Sequence, residues 1–176
     1  MDPYQRRQNI IERMDELESS GKDCKGCAGT CCTYEANSMM VTPIEAVELV
    51  EYLKTNKMFD DELKVRLEDA VSKYRLSHPV GNGRRTFLRR TYTCPFFNHK
   101  ELGCPLPREV KPYGCLAFNS HHKELKASEH CFSEKDVLEK RELASDESKL
   151  NEELKQKHSL YWDKTPLPLA LLDFYN

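Results

Sequence analysis

The sequence predicts a mainly α-helical fold: one small domain whose helices surround an irregular, cysteine-rich centre, with room for a short β-hairpin. Three observations carry that expectation. Apolar residues recur at helical spacing in several stretches bounded by capping signals. Eight cysteines stand among 176 residues, four of them within 24–32. Between 94 and 115, Pro95, Pro105, Pro107 and Pro112 leave no length for regular elements.

A chain of 176 residues fits a single core. We expect one domain over 1–176, with a cysteine-cluster region at about 20–131 and a helical C-terminal extension at 132–176. The composition, 39% apolar and 32% charged, is that of a soluble protein with a modest core. A net charge of −2 argues against a global electrostatic grip on nucleic acid or an anionic membrane. No window approaches the roughly 18 consecutive apolar residues that a membrane-spanning helix needs.

The first predicted helix runs from Pro3, with Asp2 as N-cap, to Gly21. Its Ile10, Ile11, Met14 and Leu17 alternate with charges, which is an amphipathic pattern and not a signal-peptide core. The expected compartment is therefore the cytoplasm. Thr42-Pro43-Ile44-Glu45 is a capping box with proline at the first helical position, so a second helix begins there and buries Ile44, Val47, Val50 and Leu53. A third is expected from Asp60 to about His78, through Leu63, Leu67, Ala70, Val71 and Tyr74. Gly81-Asn82-Gly83 signals a turn, and Thr86 to Thr93 reads as a short strand that delivers the chain to Cys94.

The segment 94–115 reads as turns and short helical pieces that need an outside constraint to hold one shape. Ser133-Glu134-Lys135-Asp136 opens another helix, through Leu138, Leu143, Leu150 and Leu154 with an interruption near Ser145. Its Glu/Lys content reads as a solvated face. The apolar tail, Leu160-Tyr161-Trp162 and Pro166 to Tyr175, is expected to pack back on the core, a dimer contact being the rival reading.

Thiol disulfides are disfavoured in a reducing compartment, so clustered cysteines point to metal ligands. Cys24-x-x-Cys27 has the two-residue gap that lets one turn aim two sulfurs at a single ion, and Gly26 and Gly29 let the backbone turn tightly around it. Cys31 and Cys32 are adjacent. In an extended segment neighbouring side chains point to opposite sides, so one is expected to close the first site while the other serves a second metal, bridges two metals or remains a free thiol. Cys94, Cys104, Cys115 and Cys131 follow, separated by 9, 10 and 15 residues. Eight sulfurs suffice for two four-sulfur sites, a binuclear site or an iron–sulfur cluster with spare thiols. The site should lie where the N-terminal loop meets 94–115.

Lys22, Lys25, Arg89, Arg90 and Lys111 lie near these ligands in sequence and are candidates to offset thiolate charge. Arg84, Arg85, Arg89 and Arg90 have a rival reading as a nucleic-acid patch, weakened by the acidic balance and few interleaved aromatics. His130 directly precedes Cys131 and is a candidate to replace a thiol in a mixed site, a solvated surface histidine being the rival reading. His121 and His122 sit in a polar stretch before Cys131, His78 and His99 have no patterned partner, and Asp173 and the other carboxylates form no acid–base pair.

Taken together, Cys24-x2-Cys27-x3-Cys31-Cys32, Thr42-Pro43-x-Glu45, Cys94-Pro95-Phe96-Phe97 with Cys104, and Lys111-Pro112-Tyr113-Gly114-Cys115-Leu116-Ala117-Phe118 resemble the YkgJ-type cysteine-cluster family, zinc- or iron-chelating domains, over residues 20–120. The resemblance implies metal binding by Cys24, Cys27, Cys31, Cys32, Cys94, Cys104 and Cys115. Two positions depart from the pattern. Lys111 stands in place of an arginine before the proline, and Leu116 in place of the arginine after the last motif cysteine. Flagellin lysine methylases are similar in carrying a related cluster.

Three functions follow as expectations. The first is a cytoplasmic metalloprotein holding zinc or iron for structure or metal handling. An iron–sulfur enzyme or accessory factor related to protein lysine methylation is the second. The third is a zinc-stabilised nucleic-acid module.

Overall fold

The computed structural model describes residues 8, 12, 15, 29–78, 80–81, 87–88, 90–116, 118–120, 131–133 and 145–175. Within them the chain is mainly helical, with three two-stranded antiparallel pairings. Gln8, Glu12 and Asp15 are helical and exposed, on the polar positions of the first predicted helix. The rest of 3–21 lies outside the described residues. Among those described, no helix is long and apolar enough to cross a membrane.

Helix α1, Pro43–Thr55, starts at the capping box the sequence encodes. Glu45 Oε2 accepts from the Thr42 amide at 2.7 Å and from its hydroxyl at 2.9 Å. Ile44, Val47, Val50 and Leu53 are all buried. Helix α2, Asp61–Tyr74, is capped by Asp60, whose Oδ1 accepts from the Leu63 amide at 2.8 Å. It ends four residues before His78, the expected end, because Arg75 turns into the left-handed region (φ 52°). The Leu76 amide then bonds Val71 O at 3.0 Å and the Arg75 amide bonds Ser72 O at 3.2 Å. This is a Schellman stop, and the apolar residue that follows the turn, Leu76, packs into the core.

Val80–Gly81 (β2) pairs with Phe87–Leu88 (β3), so the predicted hairpin exists but its second strand is far shorter than Thr86–Thr93. Residues 82–86, including the expected Asn82-Gly83 turn, lie outside the described set. Met40–Val41 (β1) pairs with Thr165–Pro166 (β6), with Val41 opposite Thr165. A four-residue helix, α3, spans Tyr113–Leu116. Phe118–Ser120 (β4) pairs with Cys131–Ser133 (β5), so Ser133 ends a strand where a helix start was expected. The helix itself is described as α4, Ser145–His158, and residues 134–144 lie outside.

The tail packs inward. Helix α5, Leu167–Leu172, lies against α2 and α1, and Leu167, Ala170 and Leu171 are fully buried beside Leu49, Leu53, Leu63 and Leu67. Phe59 and Tyr175 stack at 4.0 Å, and Tyr175 Oη donates to Asp60 O at 2.9 Å. Helix α4 packs on α1, where Asn151 Oδ1 accepts from the Ile44 amide at 3.0 Å, one of the donors a helix start leaves open.

Tyr92 ties these parts together from a fully buried position. Its hydroxyl donates to Met39 O at 2.7 Å and accepts from the Leu167 amide at 3.2 Å. One ring thus joins the strand before α1 to the start of the last helix, immediately beside Cys94.

Candidate metal centre

The N-terminal part of the centre is shaped by Gly29. Its φ of 74° lies in the left-handed region, and a Cβ there would stand 2.2 Å from Phe97 Cε2. Only glycine meets both conditions. The chain then makes a 3-10 turn over Thr30–Cys32, closed by the Cys32 amide on Gly29 O at 2.7 Å. The expectation that Cys31 and Cys32 sit in an extended segment with opposed side chains is therefore corrected. In a 3-10 turn successive side chains are separated by about a third of a turn, so adjacent cysteines need not face opposite ways.

This loop meets the 92–97 segment through the main chain. The Cys94 amide donates to Cys32 O at 2.8 Å, and the Tyr92 amide to Asn37 O at 2.9 Å. Between them the Tyr34 amide donates to Thr93 Oγ1 at 3.2 Å, and that oxygen also accepts from Tyr74 Oη at 2.9 Å. These bonds explain why the predicted strand stops at Leu88. The amides of Tyr92 and Cys94 are taken by the N-terminal loop.

A tight reversal carries the chain from Cys94 back to Cys104. Asn98 and Gly103 bridge each other, at 2.8 and 3.3 Å, and Asn98 Oδ1 accepts from the Lys100 amide at 2.9 Å. Beyond it, a 3-10 turn over Arg108–Val110 and then α3 present Cys115. The start of α3 is held by Glu45, whose Oε1 accepts from the Tyr113 amide at 2.8 Å. Leu116, where the family resemblance has an arginine, is buried at 2% exposure. A guanidinium there would have to give up its water on entering a buried position.

Electrostatics link four of the thiols. Burial pushes Cys94 up to about 12, and the Cys104 thiol adds to the rise, against Phe96 and Phe97 amides and Lys111, which lower it. Cys115 is raised well above the ordinary thiol value, chiefly by burial, then by Cys94 and Cys104, with Lys111 opposing and Cys31 adding. Tyr92 is raised by burial first and by Cys94 and Cys115 as neighbours. Cys94 and Cys115 are thus the desolvated thiols, with Cys104 and Lys111 close enough to act on both and Cys31 on Cys115. Arg90, the other described basic candidate, instead donates its Nε–H to His78 O at 3.2 Å.

None of Cys31, Cys32, Cys94, Cys104 and Cys115 is in a disulfide. Cys32 packs against the core and supplies the carbonyl that fixes Cys94. Cys131 lies in β5 opposite Ser120. Cys24, Cys27, Lys22, Lys25, Arg84, Arg85, Arg89, His121, His122 and His130 lie outside the described residues. Among those described, no three His, Cys, Asp or Glu side chains are placed to hold a metal ion by themselves. The donor set nevertheless fits a thiophilic metal: two desolvated thiols, Cys94 and Cys115, with Cys31, Cys104 and a lysine close by.

One sulfur escaped the sequence reading. Met39 Sδ lies 3.2 Å from Cys115 Sγ. No spacing rule points to a methionine 76 positions away.

A cleft of about 520 Å³ opens on the centre at Cys94. Arg66, Asp69, Lys73 and Tyr74 of α2 form one wall, and Tyr34, Thr93, Phe97 and His99 line the other side. His99 sits edge-on to Phe97 at 4.8 Å. Comparison of the chain with protein-family models, with curated proteins and with solved structures finds no match.

Proposed function

We propose that this chain is a metalloprotein of the YkgJ-type cysteine-cluster kind, holding zinc or iron through its cysteines for a structural or metal-handling role in the cytoplasm. The observation that carries the reading is the junction of Cys32 with Cys94, where two stretches more than sixty residues apart meet beside desolvated thiols. Cys31, Cys94, Cys104 and Cys115 would supply the sulfurs, joined by Cys24, Cys27, Cys32 and Cys131 from the sequence pattern. A bound cation would replace the thiol protons and cross-link loops that carry little regular structure, so that binding is also folding energy. Elemental analysis and an absorption spectrum of the anaerobically purified chain test it. Stoichiometric zinc in a colourless protein, or iron, supports the reading. A folded protein with negligible metal and fully titratable thiols would sink it.

The cleft at Cys94 favours a second reading: an iron–sulfur enzyme or accessory factor acting on a protein substrate, related to protein lysine methylation. Its volume is within the usual range for small-ligand sites, and Cys94 of the centre is among the residues that line it. Labile sulfide and broad visible absorption would select this reading over the first.

A further inference from the structure

Met39 is held through its main chain. Its amide donates to Asn37 Oδ1 at 3.1 Å and its carbonyl accepts from Tyr92 Oη at 2.7 Å. The thioether therefore projects from a fixed backbone. Gly114 is what lets it approach Cys115: a Cβ at 114 would stand 3.2 Å from Met39 Cγ and 3.5 Å from Sδ. The half-buried thioether and the Cys115 thiol, 3.2 Å apart, lie in the region shared by Cys94, Cys104 and Cys31.

We propose that Met39 Sδ and Cys115 Sγ form a soft-ion subsite of the sulfur centre, which takes copper(I). This rests on the reading of the cysteines as metal donors and names the ion class that one part of the centre prefers. A thioether is neutral and polarisable. It adds no charge to attract a divalent ion, but it suits a soft monovalent one, and a thiolate beside it supplies the single negative charge that copper(I) needs. On binding, the Cys115 S–H bond breaks, its proton passes to solvent, and both sulfurs donate lone pairs to the ion, with no change of oxidation state. At the roughly 2.3 Å of a zinc–thiolate bond, two sulfurs on one ion stand about 3.8 Å apart at a tetrahedral angle and about 4.0 Å apart at a trigonal one. The observed pair then has to open by about 0.6–0.8 Å, a movement that methionine's rotatable bonds allow.

The bland alternative is that the Cys115 thiol merely finds an acceptor in Met39. Competition titrations on the full, reduced chain under anaerobic conditions separate the two, with a chromophoric copper(I) chelator and, separately, a zinc(II) indicator. Met39→Leu keeps the side-chain volume against Gly114 while removing the sulfur. Copper(I) affinity is expected to fall by at least the roughly tenfold that loss of even an outer partner costs a metal site, with zinc affinity unchanged. Equal copper(I) affinity in both chains overturns the assignment. X-ray absorption of copper(I)-loaded, selenomethionine-labelled protein gives a second measure that needs no variant to fold: a selenium neighbour of copper is expected, and sulfur neighbours alone overturn the proposal. Uptake of neither ion by the wild-type chain, with no iron bound either, would instead remove the metal reading on which the subsite rests.

Discussion

Glu45 Oε1 accepts a hydrogen bond from the Tyr113 amide at 2.8 Å, across 68 positions of chain. The other carboxylate oxygen serves the Thr42 amide and hydroxyl, so a single side chain, 1% exposed, closes the start of α1 and anchors the start of α3. Cys115 lies two residues beyond that anchor. Glu45→Ala is expected to destabilise the chain by on the order of 3 kcal/mol, because it leaves buried amides without acceptors. Metal per chain should fall with it as α3 loosens. Glu45→Gln keeps one acceptor oxygen, so its losses should be smaller on both measures. Urea unfolding and metal analysis of the two variants check this, and an alanine variant equal to wild type in both would show the bond to be idle.

How much of this was legible in the sequence depended on distance along the chain. Thr42-Pro43-Ile44-Glu45 announced α1 because capping is local chemistry. The role of Glu45 toward Tyr113 was not readable, since a hydrogen bond across the fold leaves no spacing signature. The Thr86–Thr93 strand was over-read because propensity cannot reveal that the Tyr92 and Cys94 amides are claimed by Asn37 and Cys32. The 3-10 turn over Thr30–Cys32 is not legible either, because Gly29 signals a tight backbone without naming the turn it starts. The meeting of the cysteine loop with the 94–115 region was foreseeable, because neither stretch has the pattern to fold alone.

Helix ends show a second blind spot, and it is testable. Lys57, Arg75 and Ser159 all take positive φ where glycine is the usual choice. Each is followed by an apolar residue, Met58, Leu76 or Leu160, whose amide reaches back to Leu53, Val71 or Lys155. Packing of that residue holds the stop in place of a glycine. Arg75→Gly and Lys57→Gly should therefore each stabilise the chain, by about 0.5–1 kcal/mol, by removing the left-handed strain. Leu76→Ala should cost about 2 kcal/mol or more, because it empties a buried position. Thermal or urea unfolding reads both, and destabilisation by Arg75→Gly would contradict the account.

Gly29 and Phe97 form the tightest coupling between the two cysteine segments. Gly29→Ala brings together a left-handed φ and a 2.2 Å approach to the Phe97 ring, so the cost is expected to exceed 2 kcal/mol, well above the roughly 1 kcal/mol of left-handed strain alone. Phe97→Leu should recover part of that loss in the double variant, since the ring is the obstacle. A double-mutant cycle by urea unfolding measures the recovery. Simple additivity would mean that the ring and the glycine do not meet in solution.

Burial of Cys94 and Cys115 sets a pH dependence whose sign is fixed. Both thiols are raised above the unfolded value of about 9, Cys94 to about 12, so the folded chain favours their neutral form. For the metal-free protein that contribution is fully present below pH 9 and is lost as pH climbs above it, for Cys94 on the order of 1 kcal/mol per pH unit up to about 12. A bound metal reverses the slope. The ion displaces thiol protons, so its apparent affinity should increase with pH across the neutral range, by about tenfold per unit for each proton released. Metal titrations at several pH values, with proton release followed in weak buffer, test the second part, and urea midpoints of the metal-free chain from pH 8 to 11 test the first. Stability that stays flat above pH 9 would show that burial does not hold Cys94 and Cys115 neutral.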